Sequence, residues 1–126
     1  WVEANIKKFL GQEGVEASKI ILGTPFYTRI WTENNGSVTS KVVNMKNIAK
    51  NLPEGTKTTW DDSLKQNYAE YEKGGKTYKI WIEDAKSLRC KLELVNTYNL
   101  AGAAYWEKDR ETDDIWDMVS EVLNVK

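Results

Sequence analysis

Six tryptophans, six tyrosines, nineteen carboxylates, the arginines and one thiol, Cys90, are what this 126-residue sequence offers for chemistry; it contains no histidine. Without histidine the chain holds no Ser-His-Asp triad, no Cys-His pair and no histidine-ligated zinc site. A single cysteine permits no internal disulfide, and its place among Leu88, Arg89 and Leu92 on a helical stretch reads as a structural thiol. The adjacent acids Glu83 and Asp84 have the residue types of a catalytic pair. They also stand directly before an apolar helical pattern, where an aspartate caps the helix and its neighbour is incidental. The aromatic residues have two readings. Large rings bury large areas and build cores. They also form stacking surfaces, typically for sugars, whose axial C–H faces lie flat on a ring. Composition leaves both open.

The elements that must position these residues follow from periodicity. Val2, Ile6, Phe9 and Leu10 predict one face of a helix over 1–12, stopped by Gly11 and Gly14. The continuous aliphatic run over 19–23, bounded by Gly14 and Pro25, predicts a strand buried on both faces. Beyond Tyr27 the sequence turns polar and contains the turn signal Asn34-Asn35-Gly36. Val42, Met45, Ile48, Ala49 and Leu52 then recur at helical spacing behind Ser40 as a cap, and Pro53-Glu54-Gly55 breaks that helix. Residues 56–60 are β-prone, and 68–72 with 76–82 flank Gly74-Gly75 as a hairpin. Asp84 caps a helix over 85–98 with Leu88, Leu92 and Val95 inward, and Asn99 marks its stop. The small-residue run Ala101 to Ala104 ends in Tyr105 and Trp106, and a last helix carries Ile115, Val119, Val122 and Leu123. The outline is α/β at both ends with an α+β insertion between two buried strands about eighty residues apart, far beyond an ordinary crossover.

Charge and hydropathy bound the partners. The 18 basic and 19 acidic residues give a net charge of -1, without the basic excess of a nucleic-acid-binding surface. No stretch approaches the roughly 20 apolar residues of a membrane span, and no charged-then-apolar leader opens the sequence. The length suits one domain or a piece of a larger one.

Three segments carry a resemblance. Lys19 to Trp31 (KIILGTPFYTRIW) resembles the seventh-strand segment of family-18 glycoside hydrolases, the chitinase-like group: an aliphatic strand, then Gly-x-Pro-x-Tyr-Gly-Arg and an aromatic residue. Ile80 to Lys91 (IWIEDAKSLRCK) resembles the stretch that opens the seventh helix after the inserted subdomain. Leu100 to Trp106 (LAGAAYW) resembles the eighth strand, which in that family ends in tryptophan. The likeness covers roughly the whole chain and lies with the bacterial cell-wall and spore-cortex-lytic branch. The sequence departs from the pattern at Thr28, where the family often has glycine.

The resemblance implies the C-terminal fragment of a (β/α)8 TIM barrel, its last two strands and flanking helices, plus a chitinase-type insertion subdomain. It implies barrel helix and seventh strand over 1–31, the insertion over 32–79, and the last barrel helix-strand-helix over 80–126. A whole barrel takes about 250 residues, and the acid motif Asp-x-x-Asp-x-Asp-x-Glu is absent from this chain, so no catalytic residue is assigned here. In barrel enzymes the site lies at the carboxyl ends of the strands. By resemblance, Trp106 floors the subsite for the sugar under attack, and Tyr27 and Arg29 contact its hydroxyls or acetamido group. Gly102, Ala103 and Ala104 are too small to fill space, in keeping with a ring over an open pocket; packing of Trp106 under a loop is the alternative. For Arg29 the alternative is a surface pair with an acid such as Glu33. Glu107 is the one carboxylate at a strand end and joins the substrate-binding set. Trp31, Trp60 and Trp81 either line a groove wall or, the reading preferred from sequence, hold the insertion together.

The implied reaction is substrate-assisted retaining hydrolysis of a β-1,4 bond beside an N-acetylated sugar in chitin, peptidoglycan or spore cortex. It uses no cofactor and no metal, and this fragment alone is inactive. The implied location is the cell envelope, spore or exterior. Strand edges left open by the missing barrel neighbours predict self-association of the fragment. Two other classes stay open: a non-catalytic carbohydrate-binding module, which requires several of Trp31, Trp60, Trp81 and Trp106 in one exposed, coplanar row, and a structural piece, which requires all six tryptophans buried.

Overall fold

Two sheets meet at Phe26, which is completely buried between them. The computed structural model describes residues 1–124. A first helix, α1 (Val2–Leu10), leads through a short turn into β1 (Ile21–Pro25). After Phe26 the chain enters β2 (Tyr27–Asn34) and turns into β3 (Ser37–Asn44). A four-residue helix, α2 (Ile48–Asn51), precedes β4 (Thr58–Asp61), β5 (Gln66–Lys73) and β6 (Lys76–Ile82). Helix α3 (Ala85–Thr97), strand β7 (Gly102–Trp106) and helix α4 (Ile115–Leu123) complete the order.

The outer segments form a two-stranded sheet in which β1 and β7 run parallel, from Ile21 opposite Gly102 to Pro25 opposite Trp106. The middle forms a five-stranded antiparallel sheet, β3-β2-β6-β5-β4. This sheet spans Tyr27 to Ile82, so β2 and β6 extend across positions 31 and 79 where the sequence places the insertion's limits. The last two positions of the 80–126 segment lie outside the described residues. The β2–β3 turn has both central residues, Asn35 and Gly36, at positive φ, the backbone whose twist matches the strands it joins. Gly74 and Gly75 do the same between β5 and β6. The main core joins Ile30, Val43, Ala69, Ile80 and Ile82 of the larger sheet to Leu88 and Leu92 of α3 and Ile115, Met118 and Val119 of α4. A second cluster, around Ile6, Val95 and Leu100, seats α1. Each fully buried aliphatic side chain contributes about 1.5–3 kcal/mol.

Three expectations are corrected. The helix predicted from Val42 to Leu52 is instead the end of β3, a 3-10 turn over Met45–Asn47 and the short α2. Val43, Met45 and Ile48 all reach the same core from these three elements, so spacing near three reported shared burial and not one continuous helix. Phe9 is 55% exposed, because the residues around Val95 and Leu100 cover only the narrower stripe of Val2, Ile6 and Leu10. The strand at 19–23 is not buried on both faces. Leu22 and Ala103 pack inward, whereas Ile21 is 62% exposed on the other face, which no element among the described residues covers.

The larger sheet is clamped to the start of α3. Asp84 caps the helix: its carboxylate accepts the Ser87 N–H at 2.8 Å, and the Ser87 hydroxyl oxygen accepts the Asp84 N–H at 3.0 Å, a motif worth about 1 kcal/mol. Asn67 of β5 donates to Asp84 at 2.7 Å, and Gln66 donates to Glu83 at 2.6 Å. Glu83 is only 2% exposed and is held by Lys91 two turns along α3, with the Ser87 hydroxyl as a further donor at 3.0 Å. Asn99, at φ 51, gives the left-handed turn that ends α3. Asparagine tolerates that conformation better than other residues with a Cβ.

Candidate functional site

Parallel pairing puts the carboxyl ends of β1 and β7 side by side, and there a cleft of about 360 Å³ opens, lined by Gly23, Thr24, Pro25, Tyr27, Ala104, Tyr105 and Trp106. Alternation along β7 sends Tyr105 inward and Trp106 to the uncovered face. Nothing lies within 4 Å of the space a Cβ on Gly23 would occupy, and Ala104 opposite it adds only a methyl group. Those small residues leave the room that Trp106 borders. Its ring is 66% exposed, so it does not pack under a loop.

The frame beneath the ring is well defined. The Trp106 carbonyl accepts the Phe26 N–H at 2.7 Å, and the Trp106–Glu107 peptide is cis. Phe26 stacks on Tyr105 with centroids 5.1 Å apart, and Trp116 of α4 meets both rings edge-on, at 5.6 Å and 5.4 Å. This three-ring buttress was not singled out from the sequence. The doublet Phe26-Tyr27 and the tryptophan one residue after Ile115 were its only local signals. Burial pushes the Tyr105 phenol above its ordinary range, and its hydroxyl has no hydrogen-bond partner among the described residues.

Of the four predicted site residues, Tyr27 and Trp106 line the cleft together. Arg29 lies one step further along the same face of β2, outside the lining. Its Nε donates to Ser40 Oγ at 2.9 Å, and its guanidinium sits 5.9 Å from the centroid of the Trp31 ring. The pair with Glu33 does not form, because Glu33 is taken by Lys79 across the sheet at 2.8 Å. Glu107 adjoins Trp106 but turns to Arg110, whose Nε donates to it at 2.7 Å. The lining includes no carboxylate among the described residues. The cleft can therefore stack and orient a neutral polar ligand, and it brings no acid to bear on one. Trp60 and Trp81 are covered on at least one side: the Lys86 ammonium lies 3.7 Å from the Trp60 centroid, and Trp81 packs against Tyr68 at 5.0 Å. None of the six tryptophans is fully buried.

The fold, a parallel strand pair with an antiparallel sheet inserted between its strands, is shared with solved chitinases. Residues 1–111 match the model of glycosyl hydrolases family 18, and the chain belongs to that family. The cortical fragment-lytic enzyme of Bacillus subtilis is 25% identical over 113 residues, which cover 86% of this chain and 26% of that protein. A chitinase from Chromobacterium violaceum superposes with a TM-score of 0.77 at 26% identity, covering 90% of this chain and 36% of that one. The spore cortex-lytic enzyme of Bacillus megaterium shares the fold, with a TM-score of 0.73 at 22% identity over 95% of this chain and 28% of its own. Within family 18 the likeness is to the spore-cortex-lytic branch. The chain spans about a quarter to a third of the length of the curated relatives it matches. No helix among the described residues is long and apolar enough to cross a membrane.

Proposed function

We propose that this chain is the carboxyl-terminal part of a family-18 barrel that hydrolyses β-1,4-linked N-acetylated glycans of chitin, peptidoglycan or spore cortex, in the spore or cell envelope. Barrel segments over 1–31 and 80–126 flank the insertion over 32–79. The observation that carries this reading is the Trp106 ring, exposed at the shared carboxyl end of two parallel strands beside a cleft that Tyr27 also lines. Trp106 stacks under the sugar ring, Tyr27 borders it, and Arg29 and Glu107 contact hydroxyls nearby. The substrate's acetamide acts as nucleophile, and a glutamate from outside this chain protonates the leaving oxygen, the exception to the two-carboxylate scheme. No cofactor enters this scheme.

The chain alone binds and does not cut. Incubating the purified protein with N-acetylglucosamine tetramer and with spore-cortex fragments is expected to release no product above a buffer control. Measurable turnover overturns the assignment of the acid to another segment. The carbohydrate-binding-module reading is less well supported, because Trp60 lies under Lys86, Trp81 packs against Tyr68, and Trp106 belongs to a different sheet from Trp31.

A further inference from the structure

We propose that Lys46 is a positioning residue for Trp106: from the 3-10 turn that follows β3 it pins the loop leaving β7, and so makes the insertion part of the frame that aims the ring. The consequence for sugar binding rests on the reading above, whereas the positioning itself stands on backbone geometry. At 66% exposure Trp106 has little packing to hold it, so what aims it acts through the main chain. Ties on both sides of the residue lead to the same turn. On one side the Trp106 carbonyl accepts the Phe26 N–H at 2.7 Å, and the Phe26 carbonyl accepts the Met45 N–H at 3.0 Å. On the other side the Lys46 N–H donates to the Arg110 carbonyl at 3.1 Å, and the Lys46 ammonium donates to the Asp109 carbonyl. Met45 itself is buried, and the Thr112 hydroxyl donates to its sulfur at 3.6 Å.

The loop over 107–111 has a specific need for these bonds. Asp109 adopts φ 74, a left-handed conformation that a residue with a Cβ keeps only where its surroundings fix it. The side-chain bonds of the loop are otherwise internal, from Arg110 to Glu107, or run to α4, from the Trp116 indole to Glu111. Neither takes the Asp109 carbonyl. Lysine suits the task, because its ammonium carries three donors on a flexible stem and can reach a carbonyl in a segment 63 residues away in sequence. The turn at 45–46 thus braces Trp106 through Phe26 before it and through Asp109 and Arg110 after it. A ring that stacks on a ligand loses affinity when its backbone frame loosens, even though the residue that held the frame never touches the ligand.

The test is fluorine NMR of the full chain labelled with 5-fluorotryptophan, paired with calorimetric titration against N-acetylglucosamine tetramer. The Trp106 resonance is assigned by its absence in Trp106→Phe. Lys46→Met keeps the stem and removes the donor; it is expected to shift or broaden the Trp106 resonance and leave that of Trp1 in place. Lys46→Arg restores a donor and should return the Trp106 resonance to its parental position. Tetramer binding should weaken about two- to tenfold in Lys46→Met, the worth of one net hydrogen bond. The same substitution in a Trp106→Ala background should cost nothing further, since a residue that acts through Trp106 has nothing left to act on. Circular dichroism verifies each fold, and Lys46→Gln, too short to reach, replaces Lys46→Met if that variant does not fold. A Trp106 resonance unmoved by loss of the donor, or equal weakening with and without the Trp106 ring, overturns the positioning role and leaves the cleft reading intact. A displaced Trp106 resonance in a protein whose tetramer affinity is insensitive to Trp106→Ala supports the positioning role and overturns the cleft reading.

Discussion

The Trp106 ring stands in solvent beside the cleft, and its position depends on backbone rather than on packing. Trp106 is fixed by its carbonyl bond to Phe26 and by strand register, while its side chain stays in solvent. On the proposed reading, Trp106→Ala removes a sugar contact at little cost to the fold. In the intact enzyme the expected outcome is a loss of about 1–3 kcal/mol of sugar binding with a midpoint of urea unfolding close to the parent's; steady-state kinetics and equilibrium unfolding check the two halves. Its neighbourhood was legible in the sequence from the small run Gly102, Ala103 and Ala104 ahead of Tyr105 and Trp106, and strand alternation then sends Tyr105 inward and Trp106 to solvent. The partners of Arg29 and Glu33 were not legible. They are Ser40 and Lys79, set by cross-strand register, and only the turn at Asn35-Gly36 and the order of the strands determine who faces whom.

At the scale of elements, the junction of the larger sheet with α3 rests on a buried ion pair. Breaking such a pair leaves one charge uncompensated and costs about 3–5 kcal/mol, whereas replacing both partners by apolar residues is often nearly neutral. Glu83→Ala, which strands Lys91, is expected to lower stability by that amount; the double variant Glu83→Leu with Lys91→Met should recover much of it in urea denaturation. The sequence announced Asp84 as a cap, and the structure agrees. It did not announce Glu83, because the groups that satisfy it come from α3 and from β5 seventeen residues upstream.

The loop after β7 is tied by Glu111. Burial alone would raise its carboxyl, but backbone N–H groups at 109–111 and the Trp116 indole, donating at 2.7 Å, hold it below the usual carboxylate range. A carboxyl depressed in the folded state stabilises that state fully above its unfolded pKa of about 4.3, and the contribution is lost as pH falls through the folded value. Trp116 fluorescence followed from pH 7 downward should accordingly hold constant to about pH 5 and change below it, and Glu111→Gln should flatten that change.

For the molecule as a whole, the parallel pairing of β1 with β7 was readable from two short aliphatic or small-residue runs around an over-long connection. The full burial expected for them was not realised. Each strand has a single partner, and Ile21, Phe9 and Trp1 stand in solvent. Open strand edges with exposed apolar side chains invite pairing with another chain. Sedimentation velocity across a hundredfold concentration range should show the isolated chain associating as concentration rises, and a single monomeric boundary throughout would count against it.

The two tight turns at Asn35-Gly36 and Gly74-Gly75 lie together at one end of the larger sheet, since Glu33 pairs with Thr77, while Tyr27 and Ile82 lie at the other end by the cleft and α3. The sheet is thus a handle. A fluorophore, affinity tag or surface tether grafted into either turn is held a strand's length, the eight residues of β2 or the seven of β6, from the other end of the sheet, so the molecule can be labelled or immobilised with the end that carries the cleft free.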